Sequence, residues 1–247
     1  MMDAFSHRCG RIRLIAKGVK RKGNTFAPLL RPFQPLLLSW QGKGGLKNLT
    51  QVDSVMQLPG LTGDYLFSAF YLNELLQHLL QEQEPFPDLF IQYAETLSQL
   101  TERLPLEVAL RRFEWRLLCE LGFAPDLTRD HDGYWLRQNA IYCWHVGLGF
   151  QVASGPEATV QDRGLTAQQV HDILHLVAGR QVLENEIVEA SAQLEGLRLS
   201  AALKHAKVLF RQAIDSLLQG RVLKSRELIV KFRALDTVPK TPKVSGG

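Results

Sequence analysis

Two spacings of apolar residues divide the chain, and the change comes near residue 60. Before it the period is two. Arg11-Ile12-Arg13-Leu14-Ile15-Ala16-Lys17 alternates basic with apolar side chains, the pattern of a half-buried strand with a cationic outer face. Gly18 ends that strand, and Val19 to Asn24 reads as a basic turn. Phe33 to Trp40 is a second apolar run in which Pro35 marks an edge or a bend. Gln41 to Gly45 is a turn, and Leu46 to Val52 is a third strand. Short strands joined by Gly-rich turns, with basic outward positions, suit a small barrel of the oligonucleotide-binding type.

After residue 60 the period becomes three and four. Leu61, Tyr65, Leu66, Ala69, Leu72, Leu75, Leu76, Leu79 and Leu80 give a helix with a broad apolar face. Pro85 and Pro87 break it, and Leu89 to Leu104 forms a second helix. Pro105 suits a first helical turn, and the third helix stops at Gly122. Residues 123–165 are weakly patterned, with short strands predicted at Tyr134-Trp135, Ile141 to Trp144 and Phe150 to Val152. Thr166 is placed to cap a helix running to about Gly179. Further helices are predicted over about 185–193, from Leu197 to Leu218 with Gly220 closing it, and from about Ser225. The Pro-, Lys- and Gly-containing end reads as a disordered tail.

Charge changes this picture more than composition does. The net charge of +4 conceals an uneven layout. Residues 1–60 carry ten Lys/Arg against two Asp/Glu, residues 61–196 eight against twenty, and residues 197–247 eleven against three. Basic ends around an acidic middle favour a polyanionic partner, because clustered cations release counterions from phosphates. The cations at the front lie on strand-like sequence, so an anionic membrane is disfavoured. No apolar run is long enough to span a bilayer, and the first residues lack the form of a signal peptide. Cys9, Cys119 and Cys143 are odd in number and far apart, which argues for a reducing, cytoplasmic setting.

Catalytic motifs are lacking. Gly42-Lys43-Gly44-Gly45 precedes a strand and has no Lys-Ser/Thr ending, so it is a hairpin turn and not a phosphate loop. His171 and His175 sit four apart on a helix without a metalloprotease Glu, and a surface or groove role is expected. His131, Cys143 and His145 are too few and too awkwardly spaced for zinc, and Cys119 reads as a small core residue. No enzyme, cofactor or metal is expected. The recognition surfaces remain: Arg11, Arg13 and Lys17 on one strand face, Lys20, Arg21 and Lys22 in the loop after it, and Phe26, Phe33 and Trp40 either as stacking rings or as core.

Five blocks carry a resemblance: Gly10 to Gly18, Leu30 to Leu38, Tyr71 to Leu76, Leu110 to Glu114 with Leu121-Gly122, and Leu223-Lys224-Ser225-Arg226-Glu227-Leu228. In this order the chain resembles the RecO family of bacterial recombination mediators. The resemblance implies an oligonucleotide-binding barrel, a helical body and a small central module. It implies binding of single- and double-stranded DNA, annealing of complementary strands, and, with RecR, help in loading RecA onto strands coated by single-strand-binding protein. It also implies a grip on that protein's acidic, Phe-ended tail in the helical body. Two departures stand out. Residues 123–150 lack the four cysteines by which some members hold zinc, and Met1 to Phe5 resembles the second barrel strand, so that the opening strand is expected to be missing.

The expectation is therefore an α+β protein: a barrel over 1–58, a helical body over 59–122, a central module over 123–165, C-terminal helices over 166–235 and a tail over 236–247. DNA is expected at Arg11, Arg13, Lys17, Lys20, Arg21, Lys22, Arg31, Lys204, Lys207, Arg211, Lys224 and Arg226. The tail of single-strand-binding protein is expected at Arg111, Arg112 and Phe113, with Leu110, Leu117 and Leu118 completing the apolar slot. Arg116 is instead expected to pair with glutamates of its own helix. The alternative reading is a scaffold or RNA-binding protein that uses the same basic ends.

Overall fold

The computed structural model describes residues 1–17, 26–42, 44–153, 164–178 and 196–236. The basic loop residues Lys20, Arg21 and Lys22, the helix predicted over 185–193 and nearly all of the tail lie outside the described residues. The protein is α+β, with two compact units: Met1–Glu84 together with Val222–Gly247, and Pro85–Arg221.

The first unit holds β1 (Met2–Ser6), β2 (Gly10–Ile15), β3 (Leu36–Gln41) and β4 (Leu46–Ser54) in the order β1-β2-β4-β3. β1 and β2 form an antiparallel hairpin, β2 runs parallel to β4 at Arg13–Ile15, and β3 is antiparallel to β4. The sheet is open, with β1 and β3 at its edges, which fits a partial oligonucleotide-binding fold. Pro35 lies just before edge strand β3, where a missing N–H costs no ladder bond. The period-two reading of β2 holds: Ile12 and Leu14 are buried with Leu49 and Val52, and Arg11 and Arg13 alternate with them. Phe26 and Trp40 pack partly buried against this core, and Phe33 meets Phe70 edge-on at 5.2 Å. The three front aromatics thus pack within the unit.

α1 (Gly63–Leu79) and α6 (Lys224–Asp236) belong to the same unit. Phe67 and Phe232 pack as tilted rings with centroids 4.9 Å apart, and Arg233 reaches Asp64 at 2.9 Å. The chain leaving α1 returns along β2, where Gln83 N–H donates to the Arg11 carbonyl at 2.9 Å. Gly10, with φ of +62°, makes this approach possible, since a Cβ there would lie 1.8 Å from the Glu84 carbonyl oxygen.

The second unit contains α2 (Pro87–Thr101), α3 (Leu106–Glu120), a small sheet, α4 (Ala167–Ala178) and α5 (Gly196–Leu218). Phe113, Leu117 and Leu118 of α3 are wholly buried, as its apolar stripe faces α2, α4 and α5. Cys119 is exposed, against expectation, because the next 100° step after Leu118 carries it past that stripe. Gly122 closes α3 in a left-handed C′ position: its N–H donates to the Cys119 carbonyl and that of Phe123 to the Leu118 carbonyl. The small sheet has β5 (Ile141–His145) between β6 (Gly149–Val152) and β7 (Leu165–Thr166). Tyr134-Trp135 forms no strand and contributes a single bridge, Arg129 to Trp135. Thr166 caps α4 as expected, in a reciprocal box: its Oγ1 accepts from Gln169 N–H, and Gln169 Oε1 accepts from Thr166 N–H. Among the described residues no helix is long and apolar enough to cross a membrane.

Candidate nucleic-acid interface

Alternation along β2 turns Arg11 and Arg13 to the face away from Ile12 and Leu14. Both meet carboxylates there. Arg13 Nη2 lies 2.5 Å from Glu82 Oε1, and its Nε lies 3.7 Å from Asp3. Arg11 lies 3.7 Å from the same Glu82 oxygen and donates through Nε to the Leu80 carbonyl. The Arg11 side chain keeps 13% of its exposure and that of Arg13 42%, so Arg13 is the one within reach of a ligand. Lys17, past the strand end, and Arg31 are exposed. Sequence reasoning assigned these arginines no internal partner and missed Glu82. No local spacing links residue 82 to residues 11 and 13; the return of the chain along β2 does.

On α5, Lys204, Lys207 and Arg211 are exposed at spacings of three and four, which sets them on one face. Arg211 also approaches Asp215 at 3.5 Å, one turn on. This row belongs to the second unit, whereas β2 and α6 belong to the first.

Lys224 and Arg226 open α6. Ser225 lies inside the first turn, and the capping acceptor is Glu74 of α1. Its carboxylate accepts from the backbone N–H groups of Lys224 and Ser225 at 2.8 and 2.9 Å, and from the Ser225 hydroxyl at 2.6 Å. Burial pushes the Glu74 carboxyl up, but the bonds from Ser225 and Lys224, with His78 nearby, outweigh it and hold it below its ordinary value. The Lys224 side chain is exposed, and the Arg226 guanidinium lies over the Tyr71 ring at 5.5 Å.

The apolar residues expected to line a tail slot on α3 pack inside the second unit. Phe113 is 0% exposed and Leu117 and Leu118 are equally closed; only Leu110 is half-buried. Arg111 is buried as well, bonded to Glu114 at 2.7 Å, so the i,i+3 pair forms in the interior and not on a solvated face. Arg112 is half-buried and donates through Nε to the Leu176 carbonyl at 3.1 Å. Arg116 pairs, as expected, with Glu120, and also with Asp88.

Among the described residues no group of three or more His, Cys, Asp or Glu is arranged to hold a metal ion. His171 and His175 meet edge-on at 4.4 Å on α4. Burial, and then the neighbouring His171, lower the His175 pKa.

Comparison with known proteins covers almost the whole chain. A family model described as "Recombination protein O N terminal" matches residues 1–58, and one described as "Recombination protein O C terminal" matches residues 61–203. The chain is similar to a protein of Aliivibrio fischeri named DNA repair protein RecO, with 34% identity over 233 residues, 93% of this chain and 88% of the relative. A Pseudomonas putida protein of the same name is 38% identical over 231 residues, 94% and 90% of the two chains. A third, from Ralstonia nicotianae, is 40% identical over 168 residues, 67% of this chain and 62% of the relative.

Proposed function

The chain belongs to the RecO family, and from that premise we propose that it is a DNA-binding recombination mediator that anneals complementary single strands. With RecR it promotes RecA loading onto strands coated by single-strand-binding protein, without catalytic chemistry of its own. A role in DNA repair follows from the family. One observation supports the finer reading: cations stand on outward faces in both units, at Arg13 on β2 and at Lys204, Lys207 and Arg211 on α5, where no core packing requires them. Such a face binds phosphates in any sequence. The same role is proposed for Lys17, Lys20, Arg21, Lys22, Arg31, Lys224 and Arg226. The setting is the cytoplasm, at the nucleoid.

The tail of single-strand-binding protein is the proposed protein partner. Of the residues expected to hold it, Arg112 is the candidate that supports this reading, because Arg111 and Phe113 are built into the interior. A guanidinium suits a terminal carboxylate through paired N–H donors. The test is annealing of fluorescent complementary strands, bare and coated. The unaltered chain accelerates both, and failure to accelerate either overturns the proposal.

A further inference from the structure

Between α3 and β5 the chain makes a small hairpin over residues 128–136 that the reading above leaves without a role. Its shape is fixed by two aspartates. Asp126 Oδ1 accepts from the Thr128 and Arg129 N–H groups, and Asp130 Oδ1 accepts from those of Asp132 and Tyr134. The two arms are joined by Asp130 N–H to the Tyr134 carbonyl and Leu136 N–H to the Thr128 carbonyl, at 2.8 and 3.1 Å. Buried Leu127 anchors the base, and His131 N–H donates to the carbonyl of Phe150, a core residue of β6.

What this held segment presents to water is aromatic. Tyr134 is 71% exposed and Trp135 65%. The Arg129 guanidinium lies over the Trp135 ring, 4.6 Å from its centroid, and is set there by an Nη1 bond to the Gly133 carbonyl. One face of the indole is thus covered by a cation, and with two-thirds of the residue in water the other face is open. An amphipathic ring is usually packed away on folding; here the hydrogen bonds hold it out.

We propose that Trp135, backed by Arg129, is a stacking site for one unpaired base of a single-stranded nucleic acid. This rests on the DNA-binding reading given above. A nucleobase offers the flat π surface that matches the open indole face, and its phosphate carries the charge that Arg129 complements. Asp126 shares part of the Arg129 charge, so the open indole face and not the cation carries most of the site; Asp126 and Asp130 accept from the hairpin's own amides, and Asp132 lies 3.3 Å from His131. A paired base keeps both faces inside its stack, so duplex DNA gains nothing from the site.

The experiment compares full-length unaltered, Trp135→Ala and Trp135→Phe proteins on an oligo(dT) strand and on a duplex of equal length, with melting curves as a control of folding. Stacking on one base predicts that Trp135→Ala weakens single-strand binding by about tenfold. Duplex affinity and melting stay as they were, and Trp135→Phe retains most of the binding. Oligo(dT) should also quench the tryptophan fluorescence of the unaltered chain, which has four tryptophans, more than that of Trp135→Phe. Unchanged single-strand affinity in Trp135→Ala overturns the site. So does an equal loss on both DNAs, or a change in sedimentation with DNA binding intact, which would make the hairpin a contact between copies. If the unaltered chain binds neither DNA, the DNA-binding reading itself fails, and the stacking site with it.

Discussion

Glu82 sits where a phosphate would have to sit to bridge Arg11 and Arg13. Any DNA reaching β2 must displace or share that carboxylate, so Glu82→Gln should tighten binding to both single- and double-stranded DNA. A partly exposed ion pair contributes up to about 1 kcal/mol, so the gain is about fivefold at most. Fluorescence anisotropy at low salt measures it, and unchanged affinity would mean that β2 is not the contact. Arg111 answers to a different rule, because its partner Glu114 is buried. Arg111→Ala removes one partner of a buried ion pair and should cost about 3 to 5 kcal/mol, seen as a large drop in melting temperature. Arg112→Glu, at a half-buried site, should instead spare annealing of bare strands while abolishing annealing of coated ones. Equal loss of both would make Arg112 structural only.

Helix α6 is tied to α1 through Glu74, and the tie depends on pH. The folded carboxyl titrates below its ordinary value of 4.5, so its contribution to stability is complete above that value and is lost as pH falls through the folded pKa. Amide exchange in α6 should therefore accelerate on acidification, and Glu74→Gln should raise it at neutral pH and flatten the pH response. Parallel pH profiles for the two proteins would show that Glu74 does not hold the helix. The bonds that make this cap come from the Lys224 and Ser225 backbone and the Ser225 hydroxyl, so changing the cationic side chains leaves those donors in place. Replacing Lys224 and Arg226 with Gln should lower DNA affinity with melting nearly unchanged, apart from the Arg226 contact with Tyr71. Loss of stability at constant affinity would assign the motif to structure alone.

At the scale of the whole molecule, binding should be mainly electrostatic and indifferent to sequence. The logarithm of affinity should fall linearly with that of salt, and charge reversal at Arg13 and Lys20 together should make the slope shallower by roughly 0.7 per lost single-strand contact. Strong preference for one sequence would contradict phosphate recognition. The residue order by itself determined what depends on local spacing: the buried Ile12 and Leu14 beneath an arginine face, the Thr166 cap, the Gly122 stop, and the blocks that carry the family resemblance. Those features follow from side chains within a few positions of one another, where the strand and helix periods decide which share a face. Tertiary structure alone decided which cations remain available. Glu82 meets Arg11 and Arg13, and Glu74 caps a helix 150 residues downstream, because chain return and helix packing bring distant charges within hydrogen-bonding range. It also decided that Phe113 and Arg111 go inside, since a helix packed on several neighbours buries more of its circumference than its pattern reveals. Conversely, the Asp126 and Asp130 side chains hold Trp135 out in water, which no reading of hydrophobicity along the chain predicts.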